Sequence, residues 1–155
     1  MERIILIETS TALCSAALAE DGVIVAYRES SAPKAHASLT AVFIREMLSE
    51  RGLGVSDCNA VCVSMGPGSY TGLRVGVSTA KGLCFGAGIP LIAVGTLETL
   101  VAQAAAFVCK YNNFALTKCN YDDFLHLQSA IINHTLFIIH YSLKRTKKNF
   151  FICFV

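Results

Sequence analysis

Tryptophan is absent from this 155-residue chain, proline occurs three times, and no glycine, proline or glutamate follows residue 105. The last absence excludes ordinary turn chemistry from the final third, because glycine and proline are the residues that punctuate tight turns. Cys-x-x-Cys spacing is missing too: the seven cysteines stand at 14, 58, 62, 84, 109, 119 and 153, an odd number without redox or zinc-ribbon pairing. Reduced, buried thiols of a cytosolic protein are expected, not a disulfide framework. No apolar run approaches the roughly 18 residues of a membrane span; residues 130–143 come nearest and are interrupted by Asn133, His134 and His140. The apolar run Ile4–Ile7 is too short for a signal peptide.

What is present divides into two unlike pieces. Residues 1–105 carry seven basic and nine acidic side chains, a net −2, whereas residues 106–155 carry six against two, a net +4. The small positive total is therefore no argument for nucleic-acid binding by the first piece, and no direct polynucleotide contact is expected from it. The second piece is rich in Phe, Ile, Asn and Lys, the bias of AT-rich sequence translated out of frame. Residues 1–105 are thus expected to form a lobe, and 106–155 an atypical tail of frameshifted or fragmentary origin.

Ile4–Ile7 reads as a central strand, apolar on both faces. Glu8-Thr9-Ser10-Thr11 reads as a turn, and Ser15–Ala19 and Val23–Tyr27 flank Asp21-Gly22, a hairpin signal. From Ala37 to Arg51, Leu39, Val42, Phe43, Met47 and Leu48 recur at spacings of three and four, which predicts an amphipathic helix ending near Gly52. Ala60–Val63 returns to strand character; Leu73, Val77, Ala80 and Cys84 mark a second helix; Pro90–Val94 is a further strand. Thr96 is the expected cap of a last helix running from Leu97 to about Ala105. The order βββαβαβα predicts an α/β lobe with a mixed sheet. Three strands before the first helix exclude a simple doubly wound nucleotide fold.

The run Ser64-Met65-Gly66-Pro67-Gly68-Ser69-Tyr70-Thr71-Gly72-Leu73-Arg74-Val75-Gly76 joins a strand to a helix and invites comparison with a phosphate loop. A Walker loop needs Lys and then Ser or Thr after its last glycine, where Leu73 and Arg74 stand instead, and the dinucleotide fingerprint fails as well. Anion cradle and tight packing turn both remain open, with Gly66, Gly68, Ser69 and Thr71 as the cradle candidates. Gly72, Gly76, Gly82 and Gly86 would each cost about 0.8 to 1 kcal/mol relative to Ala inside a helix, so backbone approach to a sheet or to a partner's helix is expected there. Glu8, Thr9 and Ser10 admit two readings, a magnesium-coordinating phosphate loop or a hairpin turn with a solvated Glu. His36 lacks a second ligand at metal spacing and reads as a helix-start residue. Neither Gly-x-Ser-x-Gly nor a Ser, His, Asp set is visible, so no catalytic residue and no metal ligand is assigned.

Ile7-Glu8-Thr9-Ser10-Thr11, Cys14 to Leu18, His36-Ala37-Ser38-Leu39, Gly66 to Gly76, Ala80-Lys81-Gly82-Leu83 and Val94-Gly95-Thr96-Leu97 together resemble the bacterial TsaB (YeaZ) family, in order, over about residues 3–105. The resemblance implies an actin-like ATPase-superfamily N-terminal lobe, cytoplasmic and without membrane attachment. It also implies a non-catalytic subunit, without a cofactor of its own, needed for N6-threonylcarbamoyladenosine formation in tRNA. Its implied partners are a catalytic TsaD-type subunit and that subunit's ATPase, with self-association left open. Helix pairing carried over by position falls on Leu39, Phe43 and Met47 of the first helix and on Gly72, Gly76 and Ala80 of the second. Phe43→Asp is accordingly expected to abolish the pairing. Glu8 stands where many members have Asp, and the family's second lobe has no counterpart after Ala106. The alternatives are an ATP-dependent phosphotransferase or metallopeptidase-like enzyme of the same superfamily, and a non-functional truncated product.

Overall fold

The computed structural model describes residues 1–32, 35–101 and 152–153. Strands β1 (Arg3–Glu8), β2 (Cys14–Glu20) and β3 (Val23–Ser30) form an antiparallel meander, followed by helix α1 (Ala35–Ser49). A 3-10 turn at Val55–Asp57 leads into β4 (Ala60–Ser64), α2 (Tyr70–Ala87) and β5 (Leu91–Val94). Residues 96–101 are helical, and β6 (Ile152–Cys153) pairs antiparallel with β5. The sheet order is β3-β2-β1-β4-β5-β6, with β1, β4 and β5 parallel. Up to residue 101 the described residues show the expected order of elements, with the expected end of the last helix beyond them, and β6 is a strand that the sequence reading did not contain. The expectations for 106–151 lie outside the described residues.

The β2–β3 turn takes the conformation that its Asp-Gly signal demands, with φ +49° at Asp21 and +81° at Gly22. β1 earns its uninterrupted apolar run by being buried on both sides. Ile5 and Ile7 join Val61 and Val63 of β4 beneath the helices, while Ile4 and Leu6 join Ala60 and Cys62 on the opposite face. α1 and α2 pack side by side on the first face, α1 burying Ile44, Met47 and Leu48 and α2 burying Ala80 and Cys84. The buried stripe of α1 therefore runs through Thr40 and Ile44, with Leu39, Val42 and Phe43 on its half-buried flank. Of the expected stripe, Met47 and Leu48 are buried and Leu39, Val42 and Phe43 are half-buried, while Thr40 and Ile44 were not in it.

Ser69 caps α2, its Oγ accepting from the Gly72 amide at 3.3 Å, and Gly88 closes the helix at φ +68°. The last helix is capped differently from the sequence expectation. Glu98 reaches back to the Gly95 amide at 3.4 Å, while the hydroxyl of Thr96 is buried without a partner. Gly95 is thus the cap and Thr96 already lies inside the helix, a one-residue shift that turns its side chain into the protein.

Cys14, Cys58, Cys62 and Cys84 are free and buried. Burial pushes all four thiols up, Cys62 the furthest, with a further push from the Glu8 carboxylate. A raised pKa lowers the thiolate fraction at any given pH, and the thiolate is the nucleophile. Alkylation of the native chain near pH 8 is expected to spare these four sites, and unfolding in urea to expose them; peptide mass mapping reads both.

Candidate functional site

The C-terminal ends of the parallel strands β1, β4 and β5 meet at one edge of the sheet, where α/β folds place their ligands. Three loops converge there. The Glu8 carboxylate accepts from the Ser10 amide at 2.7 Å and from the Ser64 hydroxyl. The Met65 amide donates to the Val94 carbonyl and the Thr96 amide to the Gly66 carbonyl, both at 2.9 Å, so the loops after β4 and β5 are laced together. The Gly66–Pro67 peptide is cis. His36 Nε2–H donates to the Thr11 carbonyl at 2.9 Å, tying the loop after β1 to the first turn of α1. Cys14 Sγ and the His36 carbonyl both contact Thr40 Oγ1, at 3.2 and 2.6 Å.

In this arrangement the N-terminus of α2 faces its own chain. The Ser69 amide, a natural anion donor, instead donates to the Ser10 carbonyl at 2.6 Å, and a Cβ on Gly68 would sit 2.5 Å from that same oxygen. Further along the helix, a Cβ on Gly72 would collide with the Thr9 carbonyl and one on Gly76 with Thr9 Oγ1. The glycines thus let α2 settle on the loop Thr9–Ser10, and that loop occupies the ground in front of the helix dipole. Both Glu8 oxygens are committed to hydrogen bonds, which leaves it a latch between the first loop and β4. Three hydroxyls at this edge, those of Thr9, Ser10 and Thr96, are buried without a hydrogen-bond partner. No cluster of three or more His, Cys, Asp or Glu groups that could hold a metal occurs among the described residues.

The expected pairing residues separate into two groups. Met47, Gly72, Gly76 and Ala80 are buried within the lobe, against its own sheet and loop, so they offer no surface to a partner. Leu39 and Phe43 remain half-buried, and Phe43 packs against the core beneath the helices. The reason is rotational: Gly72, Gly76 and Ala80 share the α2 stripe that faces β1 and β4. The opposite side of α2 carries two large exposed aromatics that were not among the expected pairing residues, beside two of the four glycines that were marked for close approach. Tyr70 and Phe85 are 74% and 78% exposed, and Arg74 lies 5.5 Å over the Tyr70 ring. Gly82 and Gly86 are exposed, and a Cβ on either meets nothing within 4 Å. Steric need inside the lobe thus explains Gly72 and Gly76 but not Gly82 and Gly86.

The family model of TsaD, tRNA N6-adenosine threonylcarbamoyltransferase, matches residues 28–112, more than half of the chain. Together with the sheet order and the glycine-seated helix, this match defines an α/β domain of the TsaD type with an actin-like ATPase fold. The tRNA threonylcarbamoyladenosine biosynthesis protein TsaB of Escherichia coli is 41% identical over 103 residues, 66% of this chain and 44% of that protein. YeaZ from Pseudomonas aeruginosa superposes with a TM-score of 0.62 at 31% identity, over 68% of this chain and 49% of that one. A tRNA N6-adenosine threonylcarbamoyltransferase of Maricaulis maris is 43% identical over 67 residues, 43% of this chain and 18% of that enzyme. The chain belongs to the TsaB (YeaZ) family of TsaD-type proteins. It spans less than half the length of the TsaB relatives it matches.

Proposed function

We propose that this chain is an accessory subunit in tRNA N6-threonylcarbamoyladenosine formation, pairing with a threonylcarbamoyltransferase of the TsaD type and acting by contact, without chemistry of its own. The observation that carries this reading is the outer face of α2, where Gly82 and Gly86 stand open beside the exposed Phe85. Two helical glycines without an internal reason fit the close approach of a second helix, and an exposed aromatic beside them fits its anchorage. The crowded α2 N-terminus favours this reading over the phosphotransferase alternative, since its Ser69 donor is engaged by Ser10. In this role the chain works in the cytoplasm, beside the transferase and that enzyme's ATPase, and touches no tRNA itself. No helix among the described residues is long and apolar enough to cross a membrane.

Calorimetry of the full chain with the threonylcarbamoyltransferase encoded in the same genome tests the reading. A saturable complex is expected, weakened at least about tenfold by Gly82→Leu, which adds bulk where helices would touch while improving local helix propensity. Tight magnesium-dependent ATP binding by the chain alone, with no complex, would sink it in favour of the enzyme.

A further inference from the structure

Between the C-terminal half of α1, the loop after it and α2 lies a solvent-open groove of about 430 Å³. Its floor is Ile44 and Leu48, both buried, and its walls are Leu53, Val55 and Leu83, all half-buried. Arg45 is the one charged residue lining it. This guanidinium is exposed and has no ion pair or hydrogen bond among the described residues. Of the acidic side chains close by in sequence, Glu50 pairs with Arg28 and Asp57 accepts from the Gly54 amide at 2.7 Å, while Glu46 is the next residue along α1, about 100° further round the helix. An exposed guanidinium at the edge of an apolar floor, with no ion pair among the described residues, is therefore available to a carboxylate brought from outside.

The lip of the groove carries a second clue. Gly52 has φ +66°, the left-handed conformation that ends α1, and glycine suits it for that reason. Gly54 has no such need. Its backbone is extended at φ −104°, and a Cβ there would meet only Asp57 Oδ2 at 3.5 Å, an ordinary contact. The missing side chain has no internal cause, and its effect is to keep the lip open beside Leu53.

We propose that this groove docks an acidic, aliphatic segment of the partner subunit: one aliphatic side chain seated on Leu48, Leu53 and Leu83, and a carboxylate one helical turn away on Arg45. The inference rests on the pairing reading above and adds to it the chemistry that the partner must present. An open trough suits a helix laid along it better than a small molecule, which calls for an enclosed cavity. The apolar floor selects for burial, and the single cation fixes register and rejects basic partners.

The test uses the full chain, the same transferase and two substitutions on exposed positions, Arg45→Glu and Gly54→Leu, with Arg45→Lys as the conservative control. Circular dichroism and thermal melting should match the parent, because the Arg45 guanidinium makes no bond among the described residues and a side chain at position 54 leaves the backbone bonds of that residue with Asp57 in place, its Cβ 3.5 Å from Asp57 Oδ2. Each substitution is expected to weaken the complex at least about tenfold, and Arg45→Lys to retain most of the affinity. Affinity of the parent should fall with added salt more steeply than that of Arg45→Glu. Binding within about twofold of the parent for both folded variants overturns the groove while leaving the pairing intact, provided Gly82→Leu still weakens it. No complex from the parent chain overturns both.

Discussion

Gly72→Ala is expected to remove at least about 3 kcal/mol of stability, a large share of the roughly 5 to 15 kcal/mol that holds a domain folded. The added methyl would run into the Thr9 carbonyl oxygen, a backbone atom held between β1 and the β1–β2 loop with no rotamer to escape into. Either α2 lifts from the sheet, exposing Ala80 and Cys84, or the loop moves and breaks the Ser69-to-Ser10 bond. Gly76→Ala presents a different obstacle, the Thr9 side-chain hydroxyl. Because that hydroxyl is buried and unpartnered, Thr9→Ala by itself should cost little. It should rescue Gly76→Ala while leaving Gly72→Ala unrescued. Gly82→Ala and Gly86→Ala, with open space around them, should each gain about 0.8 to 1 kcal/mol. Urea midpoints at constant slope give all of these. A Gly72→Ala chain as stable as its parent would show that α2 does not seat on Thr9.

The same four glycines show how far the sequence could be read. Their spacing announced that α2 comes close to something, and the strand and helix order followed from apolar runs, one Asp-Gly turn and a three-to-four periodicity. What periodicity could not supply was rotation. Gly72 and Gly76 lie four residues apart, as do Gly82 and Gly86, yet the two pairs are displaced by ten residues, about 1000° of helical turn, which is some 80° short of three full turns. That offset sends one pair into the sheet and leaves the other facing solvent. In α1 the expected stripe was right at Met47 and Leu48 but rotated toward Leu39, Val42 and Phe43 in the first turns, because Thr40, polar by composition, is in fact 1% exposed and bonded to the His36 carbonyl. A buried threonine satisfied by its own helix gives no apolar signal. Arg45 and Gly54 were equally silent, since an unpaired arginine and an unneeded glycine become visible only once their neighbours are placed. The latch role of Glu8 needed Ser64, a strand residue 56 positions away, and no local pattern announces such a pair.

Rotation also decides which phenylalanine tests the pairing. Phe43→Asp, the substitution that the sequence favoured, would put a carboxylate against the core formed by Ile44, Met47 and Val61, so loss of a complex would report loss of the fold. Phe85 is 78% exposed in the last turns of α2, where aspartate meets water in the free chain. Phe85→Asp is therefore expected to leave the melting temperature within a few degrees of the parent. In a complex its ring would be buried against the partner, and the carboxylate that replaced it would lose both that burial and its hydration. Truncation of a buried aromatic anchor costs 2 kcal/mol or more at typical interfaces, so a loss of at least about thirtyfold is expected, approaching no detectable complex. Phe85→Leu, which keeps an apolar side chain, should recover part of the loss. Tyr70, at the opposite end of the helix and stacked under Arg74, serves as the comparison. Tyr70→Ala should weaken the complex far less than Phe85→Asp if the contact centres on Gly82 and Gly86. Equal binding by parent and Phe85→Asp, both folded, would take the outer face of α2 out of the interface and with it the reason for its two open glycines.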